Sequence, residues 1–492
     1  MLPWIIAALA GLLAAAVLRR KVRLWRKLLF AGPLMAVAAV ALLFASGMRM
    51  EMEGGGIPKF VTFQNPEKQA AQIEADRARE ATAAPSVDPA PMAAKPQAEP
   101  VAEPTVVQAA VNAAWPDYRG RARDGVSTEK ILTNWPAGKL PELWRKPVGG
   151  GWASFVIAGN LAYTIEQRRQ QEVVAAYDTA TGREVWTHKY AADFQESMGG
   201  PGPRATPTWH EGKVYSMGAT GELYVLDGLT GKVVWHKNIL EDNGAENITW
   251  AMSASPLIVD DTVIVQPGGA SNKSIVAYNK NTGARVWGSL GDRTSYASPM
   301  LVTLAGKRQI VTITALRAVG LDATSGKLLW EYPWTTEYDI NSAQPIIVGP
   351  NRLVISSGYG HGAALLEISP SGAKKIWENK KLKNKFNSSV FLDGYIYGFD
   401  ESIFTCIDAK TGEPAWKAGR YGYGQVLLAS GHLVITSEQG EVVLLKADPT
   451  AHRELYKFQA LEGRTWNVPA IADGRLFVRN ATEMAAYKIS VP

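Results

Sequence analysis

The 492-residue chain carries six histidines, His188, His210, His236, His361, His432 and His452, and one cysteine, Cys406. Transition-metal sites need imidazole or thiolate donors at short, regular spacings, and no two of these histidines stand that way. Zinc chemistry is not expected. A lone thiol inside the apolar run Ile403-Phe404-Thr405-Cys406-Ile407 reads as packing and leaves no intramolecular disulfide. The Gly-x-Ser-x-Gly elbow of many hydrolases is absent. Gly358-Tyr359-Gly360-His361-Gly362 opens no helix, so it reads as a turn, not a nucleotide fingerprint. Asp193, Glu196 and Asp292 lie singly in polar loops, where acids are normally solvated. No catalytic residue and no metal ligand is assigned.

What recurs is a turn: an Asp or Asn, a Gly four residues on and a Trp four beyond that. It reads Asp178, Gly182, Trp186; Asp227, Gly231, Trp235; Asn279, Gly283, Trp287; Asp322, Gly326, Trp330; and Asp408, Gly412, Trp416; a looser copy runs from Gly372 to Trp377. The Asp side chain bonds the backbone two residues on, the Gly supplies a positive φ, and the alternating Val and Leu flanks are strands, so each copy is a β-hairpin. The Trp on the outgoing strand suits docking on the next repeat's glycine, where no Cβ stands in the way. Successive Trp residues are 39 to 52 positions apart, close to the roughly 40 to 50 of a four-stranded propeller blade.

A second marker sets the other end of each repeat. Short apolar strands open near Ser154, Thr206, Ser255, Ser298, Gln344, Ser389, Gln425 and Val468, which predicts eight innermost strands. The last repeat stops one strand short at Tyr487-Lys488-Ile489, and Leu143-Trp144-Arg145-Lys146-Pro147-Val148 supplies the missing outer strand, Trp144 included. The expected fold is all-β, an eight-bladed propeller whose N-terminal strand closes the last blade and removes its open edge. Innermost strands all begin on one rim, so the residues just before them point into one funnel. Arg204, Trp250, Tyr296, Asn341, Asn387 and Trp466 are the candidate lining. A guanidinium, aromatic faces and amides there suit a planar anion, a glycan or a peptide loop, or else plug the channel.

Outside the propeller the chain reads as an anchor and a leash. Residues 2–18 and 28–48 are apolar, and six of the nine residues from Arg19 to Lys27 are basic. Lys and Arg clusters stay cytoplasmic, so residues 1–50 are expected to form a transmembrane helical hairpin that holds residues 115–492 outside the cytoplasm. The formal charge of +6 is then a topology signal, not a nucleic-acid footprint. Residues 51–114, rich in Ala, Pro and Glu, are expected to be a flexible linker, with a short helix over Glu67–Glu80.

The Asp-x-x-x-Gly-x-x-x-Trp hairpins, with the preamble Trp115-Pro116-Asp117-Tyr118-Arg119-Gly120 and Arg123-Asp124-Gly125-Val126-Ser127, resemble the bacterial PQQ-binding-like β-propeller repeat proteins over roughly Trp115 to Ile489. That superfamily includes quinoprotein alcohol and sugar dehydrogenases and a non-enzymatic outer-membrane assembly lipoprotein. The dehydrogenases imply pyrroloquinoline quinone with calcium held by Glu, Asn and Asp oxygens, an Asp base and often a vicinal disulfide. With one cysteine and no carboxylate cluster in a recognisable motif, this chain departs from that pattern. The resemblance, with the anchor, implies a bacterial inner-membrane protein with its propeller in the periplasm. The expected role is a non-catalytic module that binds an envelope protein. The alternatives are a quinone-dependent oxidoreductase of alcohols or sugars and a small-ligand sensor.

Overall fold

The computed structural model describes residues 2–19, 24–45, 48–63, 66–83 and 113–491. They fall into two compact units, Met1–Ala71 and Gln72–Pro492.

In the first unit helices α1 (Leu2–Arg19) and α2 (Leu24–Ala45) pack on each other, followed by a hairpin of Met48–Met52 with Pro58–Phe63. The second apolar stretch thus stops being helical at Ala45, short of the expected 48. Among the described residues no helix is long and apolar enough to cross a membrane. The physical margin is narrow. The 18 residues of α1 span about 27 Å against a hydrocarbon core of about 30 Å. The 22 residues of α2 include Arg26 and Lys27 near its start and Pro33 inside.

The stretch expected to be a flexible linker from 51 to 114 is in part structured. Residues 51–63 belong to the hairpin, and Pro66–Ala83 forms α3. Ala, Glu, Gln and Arg are strong helix formers, and Glu67 in the first turn favours the helix N-terminus. Residues 84–112 lie outside the described residues.

The second unit contains eight blades in sequence order, each a four-stranded antiparallel meander from an innermost to an outermost strand, the seventh joined on its inner edge by the short parallel strand Val126–Ser127. The innermost strands start at Val156, Thr208, Leu257, Met300, Ile346, Val390, Gln425 and Ala470, within two residues of every expected start. Glu142–Pro147 pairs with Glu483–Lys488 and completes the eighth blade. Middle strands such as Gln171–Asp178 are buried on both faces, whereas outer strands such as Glu184–Ala191 are largely solvated. Continuous apolar runs in the middle and mixed ones outside follow from that.

One irregularity recurs in all eight blades. The outermost strand has an extra residue just before its aromatic: Ala176 faces Trp186 but Tyr177 faces Glu184, so Val185 has no partner. The same shift bypasses Val234, Val286, Leu329, Ile376, Ala415, Leu455 and Leu143. A bulge bends the strand and re-aims the next side chain. Here the ring turns into the gap between blades, and the bypassed residue faces water, as Val185, Val286, Ile376 and Leu455 do.

At these gaps the ring meets the next blade's turn. Gly182 has φ +71°, and a Cβ placed on it would come within 2.7 Å of the Trp144 ring. Trp186, Trp235, Trp287 and Trp377 approach Gly231, Gly283, Gly326 and Gly412 likewise. The indole N–H groups of Trp144, Trp186, Trp235, Trp377 and Trp416 donate to carbonyls of the following turn, at Thr179, Gly228, Lys280, Ala409 and Asp448. Trp330 differs. It is buried against its own blade, with Nε1 donating to Gln309, and no atom lies within 4 Å of a Cβ on Gly372 in the looser turn that follows.

Candidate functional site

The residues before the innermost strands divide into two groups. Arg204 sits beside the connection between blades 1 and 2, where Gln195–Glu196 pairs with Gly200–Pro201 in a short hairpin. Its guanidinium is 3.2 Å from Glu196, donates to the Gly200 carbonyl at 2.8 Å and lies 4.7 Å over the Phe194 ring. Burial, opposed by Glu196, pulls its pKa down to about 10. Trp466 lies 4.9 Å from the Trp152 ring and 4.6 Å from Phe386, and its Nε1 donates to Glu438. Arg464 stacks over both Trp466 (4.3 Å) and Trp152 (5.1 Å) and donates to the Met198 carbonyl at 2.7 Å. Trp152 Nε1 donates to Gly199 at 2.6 Å. Arg204 and Trp466 are therefore joined through the hairpin of blades 1 and 2.

Trp250 and Tyr296 form a second pair, edge to face at 6.0 Å. Burial raises the Tyr296 phenol to about 12, so it stays a neutral donor.

Asn341 and Asn387 are held by the fold's own backbone, as the plugging alternative has it. Both are buried at about 1 % exposure or less. Asn341 donates to the carbonyls of Thr314 and Trp334 and accepts from Ser357, while Asn387 donates to Gly424. An amide at a strand start is held by backbone groups that would otherwise lack partners, so it turns inward. His361 packs on Trp334 at 3.9 Å, and Asp292 is buried against Arg317 at 2.8 Å. Asp193 accepts from Gln167.

The channel is filled by residues that the strand-start pattern does not mark. The segment from Trp115 to Ser127 touches seven blades on their innermost strands or at the residues leading into them. Trp115 bridges Ile157, and Val126–Ser127 pairs in parallel with Leu428–Ala429. Between them Arg119 donates to Gln344, Ser388 and Ser389. Arg123 donates to Ser255, Pro256, Pro299 and Thr208 and pairs with Asp117 at 2.6 Å. Both arginines are 2 % exposed, and both have positive φ, +60° and +57°. The Ile131 bridge to Ser490 and the strand Glu142–Pro147 carry the chain on to the eighth blade. Two guanidiniums thus give the carbonyls around the channel their donors.

The donor set does not fit calcium beside a quinone. The carboxylates near the funnel pairs are engaged: Glu196 by Arg204, Glu438 by Trp466, and Glu401 by Lys385 at 3.3 Å and Tyr423. Among the described residues no group of three His, Cys, Asp or Glu side chains is placed to hold a metal ion. Calcium takes six to eight oxygen ligands, and these engaged carboxylates do not supply them.

Comparison with known proteins agrees with this architecture. A family described as "Outer membrane protein assembly factor BamB" matches residues 169–418, half of the chain. The assembly factor of that name from Shewanella oneidensis is 25% identical over 257 residues, 49% of this chain and 60% of that protein. A quinohemoprotein alcohol dehydrogenase of Comamonas testosteroni is 38% identical over 124 residues, 23% of this chain and 16% of the enzyme. These matches therefore span less than two thirds of either relative. The crystal structure of BamB from Moraxella catarrhalis superposes with a TM-score of 0.52 at 16% identity, over 71% of this chain and all of that one, a likeness of fold. Eight blades, the closing N-terminal strand and the matched half of the sequence together place the chain in the PQQ-type β-propeller family described as outer membrane protein assembly factor BamB.

Proposed function

We propose that this chain is a membrane-tethered, extracytoplasmic protein-interaction module of the cell envelope that does no chemistry of its own. One observation carries the reading. The loop at Glu337–Asp339 presents Tyr338 at 70% exposure, with Tyr338 at φ +62° and Asp339 at φ +60°. Left-handed backbone at two consecutive non-glycine residues costs about 1–3 kcal/mol each, and the surroundings hold it. Arg293 pairs with Asp339 at 2.7 Å, Ser295 Oγ donates to the Asp339 carbonyl, and Thr336 Oγ1 donates to Ile340. Leu316, 48% exposed, belongs to the neighbouring loop, whose carbonyl accepts from Trp334. A strained tip that holds an aromatic ring in water is a recognition feature, not a core defect.

The tether rests on α1 and α2, which leave Trp4, Leu12, Leu29 and Phe30 more than half exposed. Such helices favour lipid, and a pair a few ångströms short of the bilayer is accommodated by local thinning. The basic residues between them orient the propeller outward. The relatives named as outer membrane protein assembly factors support an envelope protein as the partner.

A photo-crosslinker at position 338, in envelopes of the source cells, tests the reading. A discrete cross-linked partner is expected, lost with Leu316→Ser and absent from position 371 on a distant turn. No cross-link from 338 refutes it. Calorimetry with pyrroloquinoline quinone and calcium is expected to give no binding heat. Uptake coupled to alcohol or sugar oxidation replaces this reading with the oxidoreductase, and uptake alone replaces it with the sensor.

A further inference from the structure

The larger unit opens with a charged helix laid across the seam where the ring closes. In the stretch of α3 from Gln72 on, Glu80 is 2.5 Å from Lys146 and Asp76 is 3.8 Å from it. Arg77 reaches Glu184 at 3.4 Å, donates to the Pro147 carbonyl at 3.3 Å and lies 5.4 Å over the Tyr177 ring. Glu74 pairs with Arg169. Lys146 and Pro147 belong to the strand that completes blade 8, whereas Arg169, Tyr177 and Glu184 belong to blade 1. One helix therefore holds both sides of the closure.

Beneath it lies a buried ionic network. Glu166 accepts from Gly149 at 2.6 Å and from Tyr177 at 3.0 Å and pairs with Arg168, which reaches up to Glu184 at 2.5 Å. Arg77 meets the same Glu184, so α3 continues the network outward. The helix adds little apolar contact: Ile73 is the only large aliphatic side chain from Gln72 to Ala83. The Glu74–Arg169 pair is exposed, whereas the pairs of Asp76, Arg77 and Glu80 are 13–20% exposed, so salt weakens the first most and the others in part. An isolated helix of this length is marginal in water, so release also unwinds it.

We propose that α3 is a reversible ionic clasp on the seam of blades 8 and 1, and that opening it lengthens the tether to the propeller. The second part rests on the membrane-tethered reading above. With the clasp closed, 28 residues (46–73) separate Ala45 from Glu74; with it open, 67 residues (46–112) separate Ala45 from Ala113.

The test uses the full chain in vesicles. Hydrogen exchange over 66–83 is expected to be slow at 50 mM salt and at least tenfold faster at 500 mM. Lys146→Glu is expected to open the clasp at low salt, and Glu80→Lys in the same chain to restore it, with propeller peptides unchanged throughout. Exchange that ignores salt and Lys146→Glu, or that the charge swap does not restore, overturns the clasp. Energy transfer from a dye at Glu246→Cys to headgroup acceptors is expected to fall in Lys146→Glu. Transfer unchanged despite an open α3 overturns the tether role. No transfer in any variant refutes the membrane reading instead and leaves the clasp to the exchange result.

Discussion

Replacing Arg123 by alanine is the most direct probe of how the ring is held. Its guanidinium pairs with Asp117 at 2.6 Å and donates to three carbonyls and the Thr208 hydroxyl, at 2 % exposure. Removing one member of a buried ion pair costs about 3–5 kcal/mol, because the remaining charge loses its partner. Carbonyls left without donors add about 1–3 kcal/mol each where water does not replace the side chain. The vacated space is large enough to admit some water, so the expected loss is about 4 kcal/mol. The entropy of unfolding is about 2.1 cal/mol/K per residue, so over about 380 residues 4 kcal/mol corresponds to a melting temperature lower by roughly 5 °C. Guanidinium titration of tryptophan fluorescence, with thermal scans alongside, measures both. Arg121→Ala is the control, an exposed arginine donating only to the Ala113 carbonyl, expected to stay within about 0.5 kcal/mol. A loss below 1 kcal/mol in Arg123→Ala would show that the channel arginine is not what ties the blades together.

Three further outcomes follow from the same geometry. Gly231→Ala forces a Cβ against the Trp186 ring at φ +69°, whereas Gly306→Ala at φ +72° meets open space; both bear backbone strain of about 1 kcal/mol, and the melting scan should show Gly231→Ala the worse by at least that much again. Burial lowers the pKa of His188, and so do the charges of His236; the unfolded chain then binds the proton first, so stability is intact above the ordinary histidine pKa and falls as pH drops below it, and denaturation from pH 7.5 to 5 should show a shallower slope in His188→Gln. Tyr338→Ser should leave the melting temperature unchanged or slightly raised while abolishing the cross-links reported from a neighbouring probe at Leu316.

The blade count was legible because each blade repeats a turn whose parts have separate physical reasons. Asp178 bonds its own turn at Thr181, Gly182 takes the positive φ, and the ring across the gap needs the missing Cβ. The bulge before each ring was not legible. Val185 and Trp186 are neighbours in an alternating strand, and only pairing with Ala176 and Tyr177 shows that one of them is skipped. Trp330 shows the limit of the repeat: it fits the spacing, yet the next turn lacks the Asp, and the ring bonds Gln309 inside its own blade. The helix over 66–83 is locally strong, with Asp76 and Glu80 pairing with Arg77 and Arg79 within it, but the partners that fix it to the propeller, Lys146 and Arg169, lie far along the chain.

At the rim, one residue per blade was chosen by position, and position does not decide which way a side chain turns. Asn341 and Asn387 turn inward because carbonyls of adjacent segments wait for a donor, while Trp466 is drawn to Trp152, which precedes the first blade's innermost strand, and to Arg464 on its own approach segment. Arg119 and Arg123 lie in a stretch without periodicity, so nothing local tells that they enter the channel. Their entry has a functional corollary. A channel crossed by guanidiniums and backbone-bound amides has its carbonyls already supplied with donors, and under the proposed reading recognition falls to loop tips such as Tyr338 and Leu316. Stability and binding should then separate cleanly: channel variants lower the melting temperature and spare cross-linking in the folded fraction, whereas tip variants do the reverse. A tip variant that melts early, or a folded channel variant that loses its partner, would mean that recognition reaches into the funnel after all.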